Sequence, residues 1–311
     1  MKSLTLTGHD LTLEDLRDFE SARPTVALGN DARIAMQQSV DTVRNVIATD
    51  QVCYGINTGF GALARERISR DRLTQLQYNL VRSHACGVGE ALPAPVVRRI
   101  LLLKANSLAV GNSGIRAEVV DTLLALLNHD VLPVIPCQGS VGASGDLAPL
   151  AHMTLALIGE GEAHHQAKLL TGEAVLKTAG MKPVQLEAKE GLALLNGTQL
   201  SAALAIQGLL GTERALAASI ALGALTLEAL AGSYSPFDAR IHAARNMHGQ
   251  IKVAEAFRSL LTGSEIWQSH QGCDRVQDPY ALRCMPQVYG AVWDTLKHAE
   301  AVLTRELNSV S

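Results

Sequence analysis

The feature that most constrains this chain is the run from Glu187 to Leu230, which contains no proline and is rich in Ala, Leu and Gly. Over more than forty residues its apolar side chains fall on every side of a helix rather than along one stripe. Such a helix needs neighbours all round, and its small residues let their axes come close. The stretch from Leu200 to Leu230 is also apolar enough to suggest a membrane span. Glu213, Arg214 and Glu228 interrupt it, however, and charge at that depth is expensive in lipid. The expectation is a buried helix in the middle of a long bundle, with no membrane partner. A chain of 311 residues cannot cover such a helix alone. A closed homotetramer with dihedral symmetry is the expected assembly.

Composition agrees with a helical core. Hydrophobic residues make up 47% and charged residues 18%, which excludes a disordered chain. An aromatic share of only 4% fits helices lined with Leu, Ala and Gly better than an all-β sandwich. The net charge of −3 comes with no basic stripe, so nucleic acid and anionic membrane surfaces are not expected partners. The five cysteines (Cys53, Cys86, Cys137, Cys273 and Cys284) form no CxxC pair and are odd in number. That fits a reduced cytosol rather than a disulfide framework. Met1-Lys2-Ser3-Leu4-Thr5 lacks the apolar stretch of a signal peptide.

Along the chain, residues 4–28 mix short β-like runs with a helix near 13–21. Helical spacing then predicts helices over 30–48, 72–84, 95–109 and 115–127. Glycines mark two loops, 53–64 and 139–145, and an apolar helix should begin near Asp146. A small hairpin is expected within 159–172, followed by a short helix over 173–179. Further helices should cover 237–245, 250–261 and 281–308. The fold class is therefore mainly α, a long-helix bundle with a small mixed N-terminal region. Residues 1–186 are expected to form one domain and 187–311 the first part of the bundle. Asn308-Ser309-Val310-Ser311 lies close to an amphipathic helix without a capping glycine or proline. This looks like a truncation.

The chemistry is concentrated in Gly139-Ser140-Val141-Gly142-Ala143-Ser144-Gly145-Asp146-Leu147-Ala148-Pro149-Leu150-Ala151-His152. If the fold bends Ala-Ser-Gly tightly, the Gly145 nitrogen can attack the Ala143 carbonyl carbon, since glycine has no Cβ to block the approach. Loss of water from the ring and of the Ser144 hydroxyl then leaves an imidazolinone with an electrophilic exocyclic methylene. Nearby helix N-termini would stabilise negative charge developing there. Taken alone, the triplet is common and reads more readily as a flexible loop with Asp146 capping the helix that follows.

The longer context is more specific. Several separated motifs together resemble the aromatic amino acid ammonia-lyases, and most closely their histidine-acting branch. They are Tyr54-Gly55-Ile56-Asn57-Thr58-Gly59-Phe60-Gly61, Ser83-His84-Ala85-Cys86-Gly87-Val88-Gly89, the run 139–152, Glu190-Gly191-Leu192-Ala193-Leu194-Leu195-Asn196-Gly197-Thr198, Ser235-Pro236-Phe237-Asp238 and Gln277-Asp278-Pro279-Tyr280-Ala281-Leu282-Arg283-Cys284. The resemblance covers nearly the whole chain and implies an ammonia-lyase/fumarase-like helical bundle. It also implies that Ala143, Ser144 and Gly145 become the prosthetic group 4-methylidene-imidazol-5-one (MIO), with no external cofactor.

By motif, the resemblance gives Tyr54 the role of base for the substrate β-proton. A free phenol is a weak base at neutral pH, so helix N-termini or an arginine would have to assist it. Arg283 resembles a clamp for the substrate carboxylate, where a planar guanidinium can pair bidentately. Asn196, expected inside the long apolar helix, resembles a donor to the oxygen of the prosthetic group. Tyr280 resembles a second active-site tyrosine, with Gln277 as its neighbour in the polar network. For Asp146, help with cyclisation and capping of its helix both stay open.

His84 bears on the substrate, because histidine-acting members tend to carry Ser-His-Ala here. The implied reaction is L-histidine to trans-urocanate and ammonia. The alternatives are a tyrosine- or phenylalanine-acting lyase, an aminomutase, or a non-catalytic helical assembly protein. The implied tetramer shares each site among three subunits. His164-His165 lacks a third ligand at metal-binding spacing, so no metal is expected. Family members carry a further site glutamate and phenylalanine beyond the position of Ser311. On that resemblance the 311 residues alone are expected to be aggregation-prone and inactive.

Overall fold

The computed structural model describes residues 3–310. By its contacts the chain divides into two compact units, Met1–Ile206 with Leu303–Ser311, and Gln207–Val302. The sequence pattern placed the boundary at 187. The helix Glu190–Leu195 instead packs on the helices Leu73–His84 and Leu147–Leu157 of the first unit, which keeps this stretch of chain there.

The first unit opens with a parallel ribbon, Ser3–Leu6 against Thr25–Leu28, paired from Ser3 with Thr25 to Leu6 with Leu28. The link between its strands holds two short helices, Leu13–Arg17 and Phe19–Ala22, where a single one was expected. Thr12 and Asp15 form a reciprocal capping box at the start of the first. The centre of the unit is the helix Ala94–Ala109, in which every residue from Val96 to Ala109 is buried. Two of its polar members reach across to other elements. Arg98 meets Asp130 at 2.6 Å, and Asn106 accepts from the Gly8 amide at 3.2 Å and donates to the Leu307 carbonyl at 2.8 Å. The helices Asn30–Ala48 and Ala117–Asn128 pack against it.

Two pieces of sheet shape the rest of the unit. The expected hairpin is Glu162–His165 with Lys168–Thr171, turning through Gln166 and Ala167, both at positive φ. His164 and His165 lie on its first strand. An antiparallel ribbon not expected from the sequence joins Val88–Ala91 to Pro136–Gln138. It brings the segment after His84 beside the loop that begins at Gly139.

The Glu187–Leu230 run is not one helix. It forms Glu190–Leu195 and Gln199–Ala229, broken at Asn196-Gly197-Thr198, where Gly197 has φ +144°. By length and composition, Gln199–Ala229 is the one helix among the described residues that is long and apolar enough to cross a membrane. It is also not buried all round, because Leu222 and Leu225 are 62% and 65% exposed. A single chain leaves these faces open, and covering what remains exposed of each leucine would contribute roughly 1–2 kcal/mol. The helix with neighbours on every side is Ala94–Ala109.

In the second unit Leu216, Ile220 and Leu227 of the long helix form a core with Phe237, Val253, Phe257, Leu261, Leu282 and Met285. The Phe237 and Phe257 rings lie 4.8 Å apart, centroid to centroid. The expected helix over 281–308 is two pieces, Tyr280–Arg283 and Met285–Leu307.

Candidate active site

The loop carrying Ala143-Ser144-Gly145 is held at its base while its tip is open. Ala143 and Ser144 are exposed, whereas Asp146 is buried. Gly145 has φ +92° and makes an isolated parallel bridge with Gly197. A Cβ at 145 would stand 2.3 Å from the Gly197 carbonyl oxygen, so backbone conformation and close approach both require glycine. The next amide, Asp146 N, donates to the same oxygen at 2.7 Å.

The Asp146 carboxylate completes the clamp. One oxygen accepts from the Ser140 hydroxyl at 2.6 Å and the Ser201 hydroxyl at 2.8 Å; the other accepts from the Ser201 amide at 2.8 Å. Asp146 stands at the start of Leu147–Leu157 but makes no capping bond to that helix. Its charge serves the first turn of Gln199–Ala229 instead. The capping reading is corrected accordingly: Asp146 caps a helix, but not its own. Two helices therefore start at the Gly145–Gly197 contact, and each N-terminus carries about half a positive charge.

Asn196 sits in the break ahead of the long helix rather than inside it, with φ −77° and ψ 137°. Its side-chain amide donates to the Leu192 carbonyl at 3.2 Å. Its main-chain oxygen accepts from the Nζ of Lys104, on the central helix. Burial, and then the neighbouring Lys189, bring Lys104 down to about 7. Beside Gly197 the buried Oε1 of Gln199 has no hydrogen-bond partner.

Tyr54 projects from a turn pinned by Asn57, whose side chain accepts from Cys53 N and donates to Gln51 O, both at 2.8 Å. The phenol is 60% exposed, with its ring edge-on to Phe60. Gly55 lies against Leu192, one turn before Asn196. The Tyr54 loop thus touches the helix that leads into the Gly145 clamp. His84 is the last residue of its helix, and its Nδ1 lies 2.8 Å from the Leu80 carbonyl. A carbonyl can only accept, so Nδ1 carries a proton and Nε2 of the neutral ring keeps its lone pair. Three residues on, Gly87 N donates to Nε2 of His152 at 3.1 Å. Burial lowers the pKa of His152, which favours the neutral ring that accepts this bond.

Gln277, Tyr280 and Arg283 belong to the second unit, where with Ser233 and Asp278 they line a cavity of about 350 Å³. Arg283 lies over the Tyr280 ring, 5.2 Å from its centroid, and its Nε donates to the Asp278 carbonyl at 2.9 Å. That bond uses the inner edge of the guanidinium, and the fork beyond it is the part suited to a carboxylate. Asp278 is buried, which raises its pKa, but Ser233 and Arg275 outweigh this and hold the carboxyl below its usual range.

Sequence reasoning missed Lys104, His152, Ser140 and Ser201. Lys104 carried a signal, a single lysine within the apolar stretch Ile100–Leu103 and Ala105. The two serines had none, since each acts through a contact set by the fold.

Comparison with known proteins agrees with the motifs. The aromatic amino acid lyase family model matches residues 11–311, and the chain belongs to that family. It is 54% identical over 311 residues to the histidine ammonia-lyase of Paracidovorax citrulli, covering all of this chain and 61% of that protein. The histidine ammonia-lyase of Trypanosoma cruzi superposes with a TM-score of 0.88 at 35% identity, over 98% of this chain and 57% of that one. Ergothionase from Treponema denticola, solved with desmethyl-ergothioneine sulfonic acid, superposes with a TM-score of 0.94 at 30% identity, over 99% of this chain and 62% of that one. The chain therefore spans about 61% of the length of the curated relatives it matches.

Proposed function

We propose that the chain is the electrophile-bearing part of a carbon–nitrogen lyase that converts L-histidine to trans-urocanate and ammonia. The observation that carries this reading is the Gly145–Gly197 contact, where a residue without Cβ is clamped at the start of two helices. That setting fits the MIO group expected from Ala143, Ser144 and Gly145. Nothing bulkier than glycine fits at 145, and the triplet's outer face is open. When formed, the group supplies an electrophilic methylene that draws electrons from the substrate.

The remaining roles fall to side chains. Tyr54 takes the substrate β-proton from an open position on its turn. Asn196 orients the oxygen of the prosthetic group through its side-chain amide. His84 offers Nε2 to an imidazole N–H, which is the feature that favours histidine over a benzene-ring substrate. Arg283 grips the substrate carboxylate, with Tyr280 stacked beneath it and Gln277 beside it. The exposed Leu222 and Leu225 support a homotetramer in which the Gln277–Arg283 segment serves a neighbouring subunit's electrophile. The free cysteines support a reducing, cytosolic setting.

The test is turnover by the chain extended to its relatives' length with the remaining segment of the Paracidovorax citrulli protein. Histidine should be converted to urocanate, and Ser144→Ala should abolish this. His84→Leu should weaken histidine turnover by about tenfold more than phenylalanine turnover. Full activity in Ser144→Ala would end the lyase reading.

A further inference from the structure

Lys104 stands in the middle of the fully buried helix Ala94–Ala109 and is itself only 2% exposed. Burying an ammonium is costly unless it is paired and hydrogen-bonded. The charged group that acts on it among the described residues is another cation, Lys189, whose own Nζ donates to the Ser113 carbonyl. The contact that Lys104 makes is to the main-chain oxygen of Asn196. That oxygen belongs to the Asn196–Gly197 peptide. Gly197 is the residue whose carbonyl accepts from Asp146 N and whose backbone abuts Gly145. A line of direct contacts therefore runs from Lys104 through the main chain of Asn196 and Gly197 to the triplet.

We propose that Lys104 is a positioning residue for cyclisation of Ala143-Ser144-Gly145, acting by holding the Asn196–Gly197 peptide against Gly145. This rests on the prosthetic-group reading above. In the reaction, the Gly145 nitrogen bonds to the Ala143 carbonyl carbon. The former carbonyl oxygen leaves as water with the Gly145 amide hydrogen and the Ser144 N–H hydrogen, which leaves a C=N bond between Ala143 C and Ser144 N. A second water takes the Ser144 hydroxyl and its α-hydrogen and leaves the exocyclic double bond. Two waters are lost and nothing is oxidised or reduced. Lys104 takes no part in these bonds. It fixes the wall against which Gly145 must lie for its nitrogen to reach Ala143, and pre-set geometry of this kind governs such intramolecular attack.

A cavity of about 330 Å³ lined by Lys104, Lys189, Asn196 and Ser107 adjoins the contact, so a methionine or an arginine can be accommodated at 104. The experiment follows the intact mass of the chain extended to its relatives' length during refolding, alongside circular dichroism. Lys104→Met should fold, yet the two-water deficit should appear about tenfold more slowly or less completely, as for one lost hydrogen bond. Lys104→Arg should recover most of the rate, and Lys189→Met, which leaves the Asn196 contact intact, should match the unaltered chain. The proposal is overturned if Lys104→Met cyclises at the unaltered rate or fails to fold, or if Lys189→Met slows the reaction as much. An unaltered chain at its full sequence mass would remove the prosthetic-group reading itself, an outcome distinct from all of these.

Discussion

The Ala143–Gly145 loop of the first unit and the Gln277–Arg283 segment of the second are held in opposite ways. Around Gly145 the backbone itself is clamped, with a bridge to Gly197, a carboxylate with three hydrogen bonds and a buried lysine behind the facing peptide. Around Arg283 the anchoring is one buried aspartate, while Val276 is fully exposed and Tyr280 is 69% exposed. The contrast matches the work proposed for each. Forming a ring from three consecutive residues needs backbone atoms within bonding reach before anything binds. Gripping a substrate needs side chains that remain free to meet it.

This comparison can be broken by substitution, because changes at the Gly145 clamp should act on mass and changes in the Gln277–Arg283 segment on turnover alone. The largest effect is expected from Gly145→Ala. The new Cβ would stand 2.3 Å from the Gly197 oxygen at a φ of +92°, so the clamp must open. The chain should then keep its full sequence mass and, once extended to its relatives' length, show no measurable urocanate formation. A two-water deficit in Gly145→Ala would remove the argument from close approach. Arg283→Lys should act more mildly. The two-water deficit should be complete, while kcat/KM in the extended chain falls about ten- to hundredfold because a point charge replaces a planar fork. A lower extent of dehydration in Arg283→Lys would blur the division between the two regions.

How far each region was legible from sequence follows from the range of its contacts. The triplet, its glycine and the helix after it lie within one short stretch, and the periodicity of most helices was visible. The break at Asn196 was hidden because apolar residues continue on both sides of it, although Asn196-Gly197 is itself a turn signal. The ribbon between Val88–Ala91 and Pro136–Gln138 was not legible, since its first strand is exposed and its partner lies more than forty residues away. Lys104 could be seen but not interpreted, because its meaning depends on which carbonyl the fold places above it. The open face of the long helix was legible, since its apolar composition calls for cover that 311 residues are too few to supply, and Leu222 and Leu225 are indeed left exposed.

The most direct measurement of the central claim is the intact mass of the otherwise unaltered chain, extended to its relatives' length and folded, taken under denaturing conditions and followed by peptide mapping across residues 139–152. The account predicts a deficit of two waters confined to the peptide containing Ala143, Ser144 and Gly145, and absent in Ser144→Ala. A chain at its full sequence mass, or a deficit mapping outside that peptide, would contradict it.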